Sequence, residues 1–170
     1  MTSMFESCKK LEFLDLKHFY TPSLLNIKRL FYGCESLKWV DISNFDVSKV
    51  EDLAALFRDC HSLTSLDLYN FDTKSAKYVH YLFTNCHSLK ILNISSFNTS
   101  KIENIGHMFD QCRSLTSLDL SHFDTSLVTN MNNMFFNCNS LKYLDISNFN
   151  TEKITNMGNL LYLTSSLLLF

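Results

Sequence analysis

The amino-acid sequence predicts an α/β solenoid of stacked 26-residue coils, each with one short strand and one short helix. Three observations carry that expectation. Cys8, Cys34, Cys60, Cys86, Cys112 and Cys138 recur at an unbroken interval of 26 residues. The residues around them recur in step, and a fixed period of roughly 20 to 50 residues marks a solenoid whose coils cannot bury their apolar faces alone. Within each period the apolar spacing also changes, from alternation to a longer rhythm.

The apolar columns define the core. One runs Met4, Leu30, Leu56, Leu82, Met108, Met134, Leu160, beside Phe5, Phe31, Phe57, Phe83, Phe109 and Phe135. Leu11, Leu37, Leu63, Leu89, Leu115 and Leu141 form another, and Phe19, Phe45, Phe71, Phe97, Phe123 and Phe149 the last. Twelve of the fifteen phenylalanines lie in the two aromatic columns, which makes them scaffold rather than a cofactor site or membrane anchor.

In the last complete coil, Leu144 and Ile146 alternate with Tyr143, Asp145 and Ser147, the period of a short strand. Val128, Met131, Met134 and Phe135 then stand at i, i+3, i+6 and i+7, the stripe of a helix of about three turns. Asp124, Thr125 and Ser126 precede it as candidate caps. Gly and Pro, three and one in the chain, are too scarce to mark hinges, so one domain is expected. It comprises six coils over about residues 4–159 and a truncated seventh over 160–170. Neither end carries a polar cap, so the chain reads as part of a longer array, with end-to-end self-association expected of it alone.

The L-x-x-L-x-L segment is the strand signature of leucine-rich repeats. More closely, the chain resembles the BspA-like leucine-rich repeats of the form M-F-x-x-C-x-S-L-x-x-L-D-L-S-x-F-D-T-S-x-V-T-N-M. Met108, Phe109, Cys112, Ser114, Leu115, Leu118, Asp119, Leu120, Ser121, Phe123, Asp124, Thr125, Ser126, Val128, Thr129, Asn130 and Met131 follow that pattern. Departures are Val47 for Thr, Ala76 for a branched aliphatic, Asn93 for Asp, and Tyr20-Thr21-Pro22 at the first turn. The resemblance implies a right-handed, curved solenoid with its parallel sheet on the concave face. It also implies a cell-surface or secreted location, binding of proteins or surface ligands, and no catalysis.

Composition limits the alternatives. A net charge of −2 and pI near 6.3 offer no electrostatic footprint for nucleic acid or anionic membranes. No signal peptide is present, and the apolar tail is too short for a span of about 20 residues. The cysteines form a line, which cannot make a tetrahedral zinc site, and read as a buried column; the minority reading is disulfides between adjacent coils. His61 and His87 share a repeat position on neighbouring coils without a third ligand, and His18 and His122 lie four coils apart. Asn93-Ile94-Ser95 and Asn98-Thr99-Ser100 fit the glycosylation acceptor pattern, which matters only in a secretory pathway. No hydrolase, zinc-protease, P-loop or dinucleotide motif occurs, so no enzyme and no catalytic residue is expected.

Candidate function lies on the outward strand positions. Phe13, Trp39, Tyr69, Ile91 and Tyr143 set large apolar side chains there, as interface anchors or as cross-strand packing. Asp15, Asp41, Asp67, Asp119 and Asp145, with Asn93, form a ladder whose carboxylates repel by roughly 1 kcal/mol per neighbouring pair even in water. Lys38, Lys90 and Lys142 are the candidate compensation; Ca²⁺ or a cationic partner is the sharper alternative, with a weak signal because no D-x-D-x-D-G loop accompanies it. The leading expectation is an adhesin-like protein-binding module without cofactor. The rivals are a structural spacer and an intracellular, cytoplasmic scaffold, the latter favoured slightly if the thiols are free.

Overall fold

The computed structural model describes residues 1–168; positions 169 and 170, the end of the truncated seventh coil, lie outside the described residues. Six three-residue strands recur once per coil: β1 Phe13–Asp15, β2 Trp39–Asp41, β3 Ser65–Asp67, β4 Ile91–Asn93, β5 Ser117–Asp119 and β6 Tyr143–Asp145. They pair parallel and in step with the 26-residue period, as β1 with β2, β3 with β4 and β5 with β6. The middle residues point inward, with Val40, Leu66 and Leu118 buried, while the flanking positions face outward.

The expected helix is absent: among the described residues there is none. The segment around Met131 to Cys138 is instead a run of tight turns. Met134, Phe136 and Cys138 donate their N–H groups to the carbonyls of Met131, Asn133 and Phe135, three residues back. Between them, Met131, Asn133, Phe135 and Asn137 donate to Asn156, Gly158, Leu160 and Tyr162 of the next coil. This alternation needs left-handed backbone at two places per coil, here Asn133 at φ 52° and Asn137 at φ 58°. Gly33, Asp59, Asn85 and Asn159 hold other such sites, residue types that tolerate positive φ.

Spacing explains why turns replace the helix. The rings of Phe31 and Phe57 stack at 5.3 Å, and those of Phe57 and Phe83 at 6.0 Å, with the other neighbours of this column in between. An α-helix needs about 10 Å of width with its side chains, so helices from successive coils do not fit on that side. Backbone bonds of the turn ladder cross every junction, from Phe5 to Leu30 through Phe135 to Leu160. Strand pairing, by contrast, is interrupted between β2 and β3 and between β4 and β5 among the described residues, so the strand side is the more open one.

Corners are built by short polar side chains that accept the N–H two residues on. Asp145 takes that of Ser147 at 2.9 Å, Asn150 that of Glu152 at 2.8 Å and Asn156 that of Gly158 at 3.2 Å, giving three such turns in one coil. The expected helix caps therefore have other work. Asp124 accepts from Ser126 N–H at 2.9 Å, and Thr125 belongs to a buried hydroxyl column. Thr99 Oγ1 accepts from Asp124 N–H at 2.7 Å and donates to the Asp124 carbonyl at 3.1 Å; Thr125 does the same to Asn150. Val47 interrupts this column, and Asp72 N–H turns to the Asn70 carbonyl instead.

The cysteines are all free; Cys8 is exposed and the other five are buried. The thiols of Cys34, Cys60, Cys86, Cys112 and Cys138 donate to the carbonyls of Phe5, Phe31, Phe57, Phe83 and Phe109 at 3.0 to 3.2 Å. Burial pushes the Cys34 thiol up to about 11 and that of Cys138 up to about 12, and holds Cys60, Cys86 and Cys112 well above the ordinary range.

Two outcomes follow from these columns. Maleimide at pH 8 labels Cys8 in the native protein and all six cysteines after denaturation, as counted by mass spectrometry; rapid native labelling of Cys86 would contradict the buried thiol column. Thr99→Val, which keeps the shape and removes both hydroxyl bonds, lowers stability by about 1–3 kcal/mol in urea unfolding.

Candidate binding face

The aspartate ladder is primarily a turn-forming device. The Oδ1 atoms of Asp15, Asp41, Asp67, Asp119 and Asp145 accept the N–H of Lys17, Ser43, Tyr69, Ser121 and Ser147 at 2.9 to 3.0 Å, and Asn93 does the same with Ser95 at 3.2 Å. The backbone bonds from Lys17 and Ser147, with their side chains adding, hold the carboxyls of Asp15 and Asp145 below the usual carboxylate range, and the side chain and backbone of Ser121 do the same for Asp119. The strand-entry lysines do not supply the compensation expected of them. Lys38 pairs with Glu12 at 2.7 Å, and no ion pair joins Lys90 or Lys142 to the ladder among the described residues. No three His, Cys, Asp or Glu side chains converge as a metal set among those residues.

The outward apolar residues separate into three places. Trp39, Tyr69 and Ile91, from three successive coils, line one cavity of about 490 Å³ on the strand side at the β2–β3 junction. Its floor includes Leu66, Leu68 and Phe71, and Asp41, Asp67 and Asn93 also line it. That volume lies within the range of roughly 300–1,000 Å³ typical of ligand pockets. Trp39, Tyr69 and Ile91 remain 42, 64 and 69% exposed, so the apolar walls are accessible. Phe13 stands outside the cavity, with Lys38 Nζ 5.6 Å from its ring centre, and Asp15 pairs with Lys17 at 3.1 Å. Tyr143 and Asp145 border a second cavity of about 350 Å³ with Leu144, Ile146, Leu161 and Leu167. Asp119 lines neither.

Several other side chains prove structural. His61 and His87 do face each other, with rings stacked at 4.8 Å, and burial, His61 and Arg113 lower the pKa of His87, whose Nε2 is buried without a partner. His122 Nε2 lies 3.2 Å from the Ile94 carbonyl of the preceding coil, and at the same repeat position Asn148 donates its side-chain amide to the Ser121 carbonyl at 2.6 Å. Asn93 and Asn98 both anchor turns.

The turn side carries a strip that sequence reasoning missed. Arg29 lies 4.4 Å from the Tyr32 ring centre, and Arg58 sits between Tyr32 at 5.6 Å and Tyr81 at 4.9 Å. Tyr81 then stacks on His107 at 4.4 Å. His107 Nδ1 meets Asp110 at 2.9 Å, and its Nε2 faces the amides of Asn132 and Asn133 at 3.0 and 3.3 Å. The available signal was limited to Tyr32 followed by Arg58 in one repeat column and Arg29 with Tyr81 in the column three residues before it.

Parallel one-per-coil strands joined by turns, with leucine columns inside, define a leucine-rich-repeat type of solenoid. The chain belongs to the family described as Mycoplasma protein of unknown function, DUF285, whose model matches residues 1–91 and 82–168. Among solved structures it is similar to a leucine-rich repeat protein from Eubacterium ventriosum, with a TM-score of 0.55 and 16% identity over 96% of this chain and 45% of that one. A leucine-rich repeat protein from Bacteroides ovatus aligns over 92% of this chain and 44% of its own, at 18% identity and a TM-score of 0.44. The chain thus spans less than half the length of either structure. No curated protein matches it.

Two half-buried histidines set a pH dependence. Burial lowers the pKa of both His80 and His87 below 6.5, so the unfolded chain takes up protons first as pH falls. Their contribution to stability is complete above about pH 6.5 and declines between that value and their lowered native pKa values. The melting temperature drops from pH 7.5 to pH 5.5, and drops less in His80→Gln/His87→Gln; an unchanged slope in the double variant would assign the effect elsewhere.

Proposed function

We propose that this chain is a non-enzymatic protein-binding module of the BspA-like 26-residue repeat type, part of a cell-surface or secreted adhesin-like protein. Its binding surface is the strand side around Trp39 and Tyr69. The observation that carries this reading is the accessible cavity that Trp39, Tyr69 and Ile91 share across three coils. Large aromatic side chains on a rigid frame, beside an apolar floor and a few carboxylates, match the composition of interface anchors. The His107–Asp110 pair and the buried thiols are occupied by structural bonds, in keeping with a role without catalysis. End-to-end association of copies belongs to the same proposal, through the apolar cavity beside β6.

A structural spacer is the second reading. The uninterrupted turn ladder favours it, because that ladder extends the molecule coil by coil whatever the strand side displays.

Capture from cell-surface protein extracts decides between them. The folded chain retains a defined partner that Trp39→Ala/Tyr69→Ala loses by at least about tenfold, as expected when two anchors are truncated. Equal recovery by both proteins, with unchanged circular dichroism, supports the spacer.

A further inference from the structure

We infer that the cavity at the β2–β3 junction is a subsite for arginine: it takes the guanidinium of a partner protein between Trp39 and Tyr69, against the carboxylates of Asp41 and Asp67. This rests on the strand side being a protein-binding surface and names the group that surface recognises.

Charge gives the first argument. Asp41 and Asp67 are the only charged residues lining the cavity among the described residues. Each accepts its own turn's N–H at Oδ1, and neither forms an ion pair among the described residues. The nearest strand lysine in sequence, Lys38, is held away by Glu12 at 2.7 Å. An anion placed here is repelled, and an apolar group strips water from two carboxylates without replacing it. A cation with several donors satisfies both.

The walls select among cations. A guanidinium is planar, stacks on aromatic faces and presents forked donors to carboxylates, whereas an ammonium is a compact, strongly hydrated point charge. The molecule already holds one arginine among aromatic rings and a carboxylate. On the turn side the Arg58 guanidinium sits 5.6 Å from the Tyr32 ring centre and 4.9 Å from that of Tyr81, with Asp59 at 3.6 Å. Aromatic residues from different coils flank that guanidinium beside an aspartate. At the β2–β3 junction, Trp39, Tyr69, Asp41 and Asp67 supply the same groups without the arginine.

Trp39 is the only tryptophan, so its fluorescence reports the site directly. The folded chain is titrated with acetyl-Gly-Arg-Gly-amide, with the isosteric citrulline peptide and with the lysine peptide. The arginine peptide produces a saturable change on the order of 1 mM or tighter, and the citrulline and lysine peptides bind about tenfold more weakly or not at all. Asp41→Asn/Asp67→Asn removes the charge but keeps the turns, as Asn93 already shows at the same repeat position. That variant stays folded by circular dichroism and weakens the arginine response about tenfold. A citrulline or lysine curve that superimposes on that of arginine, an unaffected double variant, or the lack of any saturable change overturns the assignment. If the arginine response fails while Trp39→Ala/Tyr69→Ala still abolishes partner capture, the arginine subsite falls and the binding face stands.

Discussion

The structure depends on the distance between successive coils along the turn ladder. Stacked phenylalanine rings 5.3 to 6.0 Å apart set that distance, and alternating inter-coil hydrogen bonds hold it. Offset ring pairs contribute roughly 0.5–1.5 kcal/mol each beyond the area they bury. The same spacing leaves a phenylalanine carbonyl within reach of the thiol of the next coil, so the cysteine column is a consequence of the ladder. Left-handed backbone is the cost, at about 1–2 kcal/mol for a residue with a Cβ. Asn133, Asn137, Asn85 and Gly33 occupy such sites, where amide side chains or a missing Cβ reduce it.

Corner chemistry explains which surface residues repeat. A side chain that accepts the N–H two residues on must be short and carry an oxygen, which Asp and Asn both satisfy. Hence Asn93 replaces aspartate within the ladder, and Asn98 and Asn150 alternate with Asp72 and Asp124 at the next corner without changing the turn. Repulsion between neighbouring carboxylates is tolerated because each one is met by a backbone donor. The constancy of this column therefore reports backbone geometry. A ligand is to be sought in what varies beside it.

The period, the leucine and phenylalanine columns and the inward set of the strand residues were all legible, because each coil repeats the same burial. The helix was misread for a definite reason. Apolar residues at Val128, Met131, Met134 and Phe135 fit a helical stripe, but successive three-residue turns return to one side at the same intervals. The discriminating signals were present in Asn133 and Asn137, and in a phenylalanine column too closely spaced for helices. Lys38 was misassigned because its partner, Glu12, lies a full coil earlier. The Arg58–Tyr81 contact was missed because it joins two different columns across a junction. The grouping of Trp39 with Tyr69 was legible, while its separation from Phe13 and Tyr143 required the cavity to be seen.

The candidate site falls where the scaffold is least bonded. At the junction between the second and third coils, Val47 lacks the hydroxyl that Thr99 and Thr125 use, and β2 forms no ladder with β3. The turn ladder still crosses that junction through Phe31 and Leu56, so the coils stay in register while their strand edges part. Val47 does not act alone, because β4 and β5 are also unpaired although Thr99 bonds across that junction. What distinguishes the β2–β3 opening is its lining: two aromatic walls and two carboxylates without an ion-pair partner among the described residues. An opening held from behind by a stiff ladder keeps its walls at a fixed separation before a ligand arrives, which lowers the ordering cost of binding. The scaffold columns and the variable positions thus divide the work: one fixes the gap, and the other decides what enters it.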